Sequence, residues 1–217
     1  MPEDSEIIAK IRELFVTRDD TWARQQADGR YVRIRSSLTD NVLHLHLNGE
    51  VTVGVYQLNP KTNEVKWVCA DIDPERTRDV WGAAKQIYKE TVTLFNSKAV
   101  ILEASRYPDP SAHVWVCFKP IPADLGQKIG KQILEKTRMS EVELFPKQTD
   151  VGGGFGNLVK LPLGLHQREK KWSCILDSNT LNPLPASTIL TVKPTTFARD
   201  DYRLTFMQNP LQNNFFT

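Results

Sequence analysis

The order of hydrophobic patterns in the middle of the chain constrains its fold more than any other feature of the sequence. Strand-like apolar runs alternate there with segments whose apolar residues recur at helical spacing. In chain order these segments are Val65–Asp73 (strand), Pro74–Phe95 (helix), Ala99–Ala104 and Val114–Phe118 (strands), Ala123–Lys136 (helix), and Val142–Phe145 and Trp172–Leu176 (strands). The order strand, helix, strand, strand, helix, strand is that of a split βαβ, palm-like unit. We therefore predict an α+β fold.

A smaller α/β module precedes this unit. Apolar residues at helical spacing predict an amphipathic helix over residues 5–16. Alternating patterns predict strands at Tyr31–Arg35, Val42–Leu47 and Val51–Leu58, and Asn48-Gly49 is a strong hairpin signal between the last two.

These patterns divide the chain into a core at residues 1–180 and a C-terminal appendage or linker at residues 181–217. Within the core, the N-terminal module takes about residues 1–64 and the palm-like module about residues 65–180. Only Phe197–Met207 has a helical pattern in the appendage.

Charge and cysteine content exclude several classes of protein. The formal net charge of +2 provides no overall basic field, so any nucleic-acid surface must be local. The three cysteines have no CxxC spacing, which argues against a structural zinc site or a disulfide framework.

Apolar runs are far shorter than the roughly 20 residues that span a bilayer, and the acidic start is not a signal peptide. We expect a soluble, cytoplasmic protein with no membrane partner.

Asp71 and Asp73 are the first candidate site residues. Because side chains alternate along a strand, these acids project from one face while Ile72 points the opposite way. Two adjacent carboxylates repel unless a cation lies between them, and hard oxygen ligands favour Mg²⁺ or Mn²⁺ over Zn²⁺. The alternatives are a solvated pair at a strand end, or Asp73 as the cap of the helix after Pro74.

Polar residues also lie at the ends of other predicted strands. Ser111 and His113 flank a strand start, so their side chains project together and can bind phosphate oxygens. Alternatively, His113 is a polar residue satisfied by a neighbouring backbone group. Asp177 ends the last apolar run, and by itself it marks a strand terminus. In a palm-like sheet these strand ends can lie side by side with Asp71 and Asp73.

His44 and His46 alternate on the predicted strand at residues 42–47. No third ligand follows at suitable spacing, so we expect a polar outer face there and not a metal site.

Three motifs in this order carry a resemblance to a known family. A hydrophobic run ending in Asp-x-Asp, then Ser-x-His, then a hydrophobic run ending in Asp resemble the motifs of the archaeo-eukaryotic primase superfamily, which includes the primase-polymerases. Longer segments, His46–Tyr56, Leu144–Gln148 and Gly153–Gly164, are similar to the primase domains of conflict-system and CRISPR-associated primase-polymerases. The resemblance covers about residues 20–180. The cysteine-rich zinc insertion of some relatives is replaced by Ser36–Asp40.

The resemblance implies a palm/RRM-like catalytic sheet and two divalent metal ions, Mg²⁺ or Mn²⁺. Asp71, Asp73 and Asp177 would hold the metals, as the corresponding acids do in the family. Ser111 and His113 would bind the incoming nucleoside triphosphate.

Further positive charge for a triphosphate is available in the matched segments. Lys147, beside Gln148, and Lys160 can neutralise phosphate oxygens, although solvated lysine is the ordinary alternative. His166 also matches a family pattern. We place Lys147, Gln148, Lys160 and His166 in the predicted nucleotide site.

A basic polar run near Trp22 and Tyr31 is the candidate template surface. Single-stranded nucleic acid is bound by phosphate contacts together with aromatic stacking. The candidate residues are Arg24, Gln25, Gln26, Arg30, Arg33 and Arg35.

The predicted function is that of a primase-polymerase, which initiates and extends primers on a single-stranded DNA template with nucleoside triphosphates. The alternatives are a gap-filling or repair polymerase that needs a 3′ end, a metal-dependent nuclease, and a binding module for nucleotide or single-stranded DNA without turnover. CRISPR adaptation or replication proteins are candidate partners by the same resemblance.

Overall fold

A computed structural model describes residues 2–197 of the chain. Its α-helices are α1 (Pro2–Phe15), α2 (Asp40–Leu47), α3 (Val80–Leu94) and α4 (Ala123–Thr137). Its strands are β1 (Trp22–Gln25), β2 (Tyr31–Ile34), β3 (Val53–Tyr56), β4 (Glu64–Ile72), β5 (Val100–Ala104), β6 (Ala112–Pro122), β7 (Glu143–Phe145), β8 (Leu158–Lys160), β9 (Leu165–His166), β10 (Lys171–Trp172) and β11 (Cys174–Ile175).

A five-stranded sheet forms the centre of the fold. Its strand order is β11-β5-β6-β4-β7, and each neighbouring pair is antiparallel. Helices α3 and α4 pack on one face, where Val68, Leu102 and Val114 belong to a single buried cluster with residues of both helices. The predicted α+β fold is confirmed.

The opposite face of this sheet carries a second core. Trp67 and Cys69 of β4 point into it, because they alternate with the residues that face α3 and α4. Helix α1 covers part of this face, and the Trp67 indole N–H donates to the carbonyl of Phe15 at 3.0 Å.

A second sheet of four strands has the order β2-β1-β3-β8. Its last strand comes from residues 158–160 and pairs with β3, so that Gly54 lies opposite Lys160. The small sheet is therefore completed by a segment far along the chain.

The predicted strand at Val42–Leu47 is wrong, because these residues belong to helix α2. The Thr39 hydroxyl caps the helix by accepting from the Val42 N–H at 3.4 Å, and Leu43 and His46 are buried at helical spacing. Asn48-Gly49 ends this helix and does not form a hairpin. The apolar alternation of the segment also satisfies an i, i+3 pattern, and burial decides between the two.

His44 and His46 therefore do not share a polar outer face. His46 is fully buried, its Nε2 lies 3.0 Å from the Pro162 carbonyl oxygen, and its Nδ1 accepts from the Val53 N–H at 3.1 Å. Burial lowers the pKa of His46 to about 4, so this histidine is a neutral link between α2 and the chain around Pro162.

The long predicted helix also begins later than Pro74. Helix α3 starts at Val80, after Asp79 caps it by accepting from the Gly82 N–H at 2.9 Å. The intervening residues form a turn in which the N–H groups of Arg76 and Thr77 donate to the Asp73 carbonyl. Asp73 is therefore not the cap of this helix, and its side chain is free for other contacts.

The described part of the appendage packs on the core. A 3₁₀ helix at Ala186–Thr191 lies against α1, and Thr195 bridges to Phe118. Beyond its first residue, the predicted helix at Phe197–Met207 lies outside the described residues.

Candidate active site

A row of four charged side chains crosses one end of the five-stranded sheet. Glu143 of β7 lies opposite Asp71 of β4, and Asp71 lies opposite His113 of β6. His113 in turn lies opposite Glu103 of β5. Directly opposed residues of antiparallel strands project from the same face, so all four side chains lie on the face away from α3 and α4.

His113 lies between two carboxylates of this row. Its Nδ1 is 3.0 Å from Oε2 of Glu103, and its Nε2 is 3.3 Å from Oδ1 of Asp71. Glu103 is fully buried, and its Oε2 also accepts from the Trp115 indole N–H at 2.7 Å. Both ring nitrogens face acceptors, which is satisfied when the imidazole carries both protons.

The charges of this buried group stabilise one another. Burial alone would lower the pKa of His113, but the Asp71 and Glu103 carboxylates outweigh it and raise the pKa to about 10. Burial opposes ionisation of Asp71 and Glu103, yet the His113 charge prevails and lowers the pKa of both acids. The group is thus two carboxylates around one imidazolium.

Asp73 lies beside Asp71 on the same face, at the end of β4. Its Oδ1 accepts from the Ser111 hydroxyl at 2.8 Å, and the Arg106 guanidinium is 3.4 Å away. Burial and the Asp71 charge nevertheless raise the pKa of Asp73. The pair therefore has the mutual repulsion that a bound cation would relieve.

Lys160 reaches this group from the other sheet. Its side chain is buried, and its Nζ lies 3.7 Å from Oε1 of Glu103, an ion pair that is longer than a hydrogen bond. Burial lowers the pKa of Lys160, against the opposing effect of the Glu103 charge.

Apart from Glu103 and Trp115, these residues line an open cleft of about 710 Å³, a volume typical of small-molecule sites. The structure brings most of the predicted metal-site and nucleotide-site residues to it. Those on its wall are Asp71, Asp73, Ser111, His113, Lys147, Lys160 and His166.

Lys147, Gln148 and His166 differ in their surroundings. Lys147 lines the cleft and forms an ion pair with Glu143. Gln148 lies in an adjacent depression, where its amide donates to the Asp150 carbonyl at 2.9 Å. His166 contacts the Gln25 amide at 3.0 Å, and burial lowers its pKa to about 4. His166 is therefore a neutral polar group on the cleft wall.

The structure does not bring Asp177 to the other two acids. Strand β11 is three strands away from β4, roughly 14 Å at the usual spacing. Its pairing with β5 carries the chain away from the end where Glu103 and His113 lie. The Asp177 carboxylate instead accepts from the Asn179 and Thr180 N–H groups at 3.0 and 2.8 Å, as a turn-forming aspartate does.

The predicted template residues are divided by the pleat of β1 and β2. Gln25 and Arg33 share one face with Tyr31, and Gln25 and Tyr31 line the cleft. Arg24 lies opposite Val32 and points from the other face. The others lie outside this pairing, at or beyond the strand ends: Gln26, Arg30, which pairs with Asp28, and Arg35.

Arg33 has an aromatic partner from the glycine-rich loop. Its guanidinium carbon lies 3.7 Å from the ring centroid of Phe155, and the Phe155 ring is 5.9 Å from that of Tyr56. The loop at residues 152–156 is thus held over the cleft side of the small sheet.

Sequence reasoning missed three residues of the site: Glu103, Arg106 and Glu143. Glu103 had a usable signal, because an acid inside the otherwise apolar run of β5 destabilises the fold unless it has a charged or hydrogen-bonding partner. Arg106 and Glu143 had none, since a polar residue in a loop or in a short edge strand is ordinary.

The acids at the cleft provide two adjacent carboxylates for a divalent cation, and not a complete set of protein ligands. Within residues 2–197, no three His, Cys, Asp or Glu side chains are grouped so as to hold a metal ion. Asp71 and Asp73 offer two adjacent hard oxygen ligands at the cleft. That set suits Mg²⁺ or Mn²⁺, which usually binds one or two carboxylates and completes its coordination with water and substrate phosphates.

A family model described as the archaeo-eukaryotic primase domain of the TOTE conflict system matches residues 30–193. No curated protein matches the chain. In the described part of the chain, no helix is both long and apolar enough to cross a membrane.

Proposed function

Because the chain belongs to the archaeo-eukaryotic primase domain family of TOTE conflict systems, we propose that it initiates and extends primers on single-stranded DNA. The family is one of primase-like nucleotidyltransferases. The proposed reaction joins the 3′-hydroxyl of a nucleotide or primer to the α-phosphate of a nucleoside triphosphate and releases pyrophosphate.

One observation carries the proposal: the cleft combines two adjacent carboxylates with several cations. Asp71 and Asp73 line it, together with Arg106, His113, Lys147 and Lys160. A triphosphate bound with a divalent cation needs both kinds of group, acids for the metal and cations for the phosphate oxygens.

Asp71 and Asp73 would hold Mg²⁺ or Mn²⁺. When bound, such an ion supplies charge neutralisation at the phosphates and activation of the attacking hydroxyl. The protein's own contribution is to orient both acids. His113 contacts Asp71 and favours its ionised form, and Ser111 with Arg106 contacts Asp73 and opposes the rise in its pKa.

The nucleotide would lie with its phosphates against the cationic wall. Lys147 and Arg106 are only partly buried, so they can meet phosphate oxygens directly. His113 and Lys160 provide buried positive charge behind them. Ser111 is engaged with Asp73, so we assign it to the acid pair first and to phosphate second.

Template would follow the small sheet beside the cleft. Arg33, on the same face of β2 as Tyr31, would contact the template phosphates, and Tyr31 and Tyr56, which line the cleft, would contact the bases.

Synthesis on an unprimed template tests this function. The protein is incubated with single-stranded DNA, Mn²⁺ and labelled nucleotides, and we expect oligomers to accumulate. Asp71→Ala/Asp73→Ala should make none, while Asp124→Asn, an exposed acid on α4, should behave as wild type.

The same assay separates the alternatives. Products only from a pre-annealed primer would identify a gap-filling or repair polymerase. Shortening of the template strand would identify a nuclease, and binding of nucleotide with neither outcome would identify a binding module.

A further inference from the structure

Glu103 is a buried acid for which the reaction itself has no direct use. It lies on β5 near one end of the five-stranded sheet, has no exposed surface, and does not line the cleft. A buried carboxylate is strongly destabilising unless charged or polar partners compensate it. The partners of Glu103 in this apolar strand therefore indicate what it does.

The contacts of Glu103 link two cations from two sheets. Oε2 is 3.0 Å from His113 Nδ1, on the neighbouring strand β6. Oε1 is 3.7 Å from Nζ of Lys160, on β8 of the four-stranded sheet. This Oε1 atom has no hydrogen-bond partner in the described part of the chain. Each oxygen thus faces one cation.

Both of these cations reach the cleft, although Glu103 does not. His113 lines it between Glu103 and Asp71, and Lys160 lines it from the opposite sheet. The Trp115 indole N–H also donates to Oε2 at 2.7 Å. Glu103 therefore contacts two cations that line the cleft, and Trp115 adds one neutral hydrogen bond.

We infer that Glu103 is a positioning residue that sets the spacing of His113 and Lys160 for the phosphate groups of a bound nucleoside triphosphate. This inference rests on the proposed function, because it assigns phosphate to that part of the cleft. Glu103 acts through the two cations and does not touch the nucleotide.

A purely structural role predicts something different. If Glu103 served only to satisfy buried donors, its loss would lower stability and the fraction of folded protein. The folded molecules would still bind nucleotide with unchanged affinity. Affinity for nucleotide and stability therefore have to be measured separately.

The experiment compares Glu103→Gln with Trp115→Phe. Glutamine keeps the shape but removes the charge that holds both cations. Phenylalanine removes the hydrogen bond to Glu103 and changes the ring that packs edge-on against His113, with 5.3 Å between the ring centroids, but it keeps the charges of Glu103, His113 and Lys160. The dissociation constants of ATP and dATP with Mn²⁺ are measured by calorimetry on each protein, together with thermal unfolding.

We expect Glu103→Gln to weaken nucleotide binding by about tenfold or more. Trp115→Phe should change it by less than about threefold, although both variants unfold at lower temperature. The inference is overturned if Glu103→Gln binds like wild type, or if Trp115→Phe weakens binding as much.

If Glu103→Gln does not fold, Lys160→Met is compared with the double variant Glu103→Gln/Lys160→Met. The double variant avoids the unpaired Lys160 charge that Glu103→Gln alone leaves in the core. A further loss of affinity of about fivefold in the double variant supports positioning of His113, and equal affinities overturn it. Wild-type protein that binds nucleotide but joins none would contradict the proposed function alone. Wild-type protein that binds no triphosphate would contradict both.

Discussion

The Ser111 hydroxyl donates a 2.8 Å hydrogen bond to Oδ1 of Asp73, so the serine of Ser-x-His holds an acid of Asp-x-Asp. Asp73 directly follows β4 and Ser111 directly precedes β6, the neighbouring strand, and Arg106 approaches the same oxygen at 3.4 Å. The Asp-x-Asp and Ser-x-His motifs are therefore joined by a hydrogen bond. Ser111 and Arg106 contact the Asp73 carboxylate, whose pKa is raised by burial and by the Asp71 charge.

Ser111→Ala should lower kcat/KM for primer extension by about ten- to a hundredfold, because a hydrogen bond to a charged group contributes about 1.5–3 kcal/mol. Steady-state extension of a labelled primer measures the effect. Ser36→Ala, at an exposed position, is the control. Wild-type kinetics in Ser111→Ala would show that Asp73 does not depend on this bond.

Asp71→Asn and Asp73→Asn should each weaken Mn²⁺ binding by at least about tenfold, since each removes one of two carboxylate ligands. Titration followed by electron paramagnetic resonance measures free Mn²⁺ directly. Asp177→Asn should leave the affinity within about threefold of wild type, because that carboxylate is engaged by Asn179 and Thr180. Loss of Mn²⁺ from Asp177→Asn would instead restore the role predicted from the motif.

The stability of the protein should fall at alkaline pH because of His113. Its pKa of about 10 in the folded state exceeds the ordinary 6.5, so the folded protein retains a proton that the unfolded chain releases. This stabilisation is complete below about pH 6.5 and is lost as the pH rises to about 10. Between these pH values, wild type should lose a few kcal/mol (about 2–5) relative to His113→Gln.

Urea unfolding at a series of pH values measures that difference. Parallel stability profiles for wild type and His113→Gln would contradict the prediction. Titrating groups common to both proteins contribute equally to both profiles. The result is therefore the difference in how the free energy of unfolding changes with pH, and not the absolute stability.

Arg33→Ala should weaken binding to single-stranded DNA and reduce the salt dependence of the binding constant by about one charge, if template follows the cleft face. Fluorescence anisotropy over a range of salt concentrations measures both. Lys128→Ala, an exposed cation on α4, is the control. A larger loss from Arg24→Ala would place the template on the other face of the small sheet.

Gly164→Ala should destabilise the fold by about 3 kcal/mol, because an added methyl would lie 2.0 Å from Cε1 of the buried His46. Gly153→Ala meets no atom within 4 Å, and its φ of +79° makes the expected cost about 1 kcal/mol. Chemical unfolding of both variants checks the order. Equal losses would mean that α2 moves away without cost.

Much of the central sheet could be predicted from the sequence because its signals are local. The apolar runs of β4 and β6 and the helical spacing of α4 each specify one element, and the structure confirms them. Helix α2 could not be predicted in this way, since Val42–Leu47 satisfies both periods. Its identity depends on the cap at Thr39 and on the burial of Leu43 and His46.

The site divides along the same line. Strand alternation by itself put Asp71 and Asp73 on one face, and the motif order connected them with Ser111 and His113. Register between strands decided the rest, because it depends on contacts between segments far apart in the chain. It aligned Glu103 and Glu143 with Asp71, brought Lys160 from another sheet to Glu103, and placed Asp177 three strands from the acids with which the sequence had grouped it.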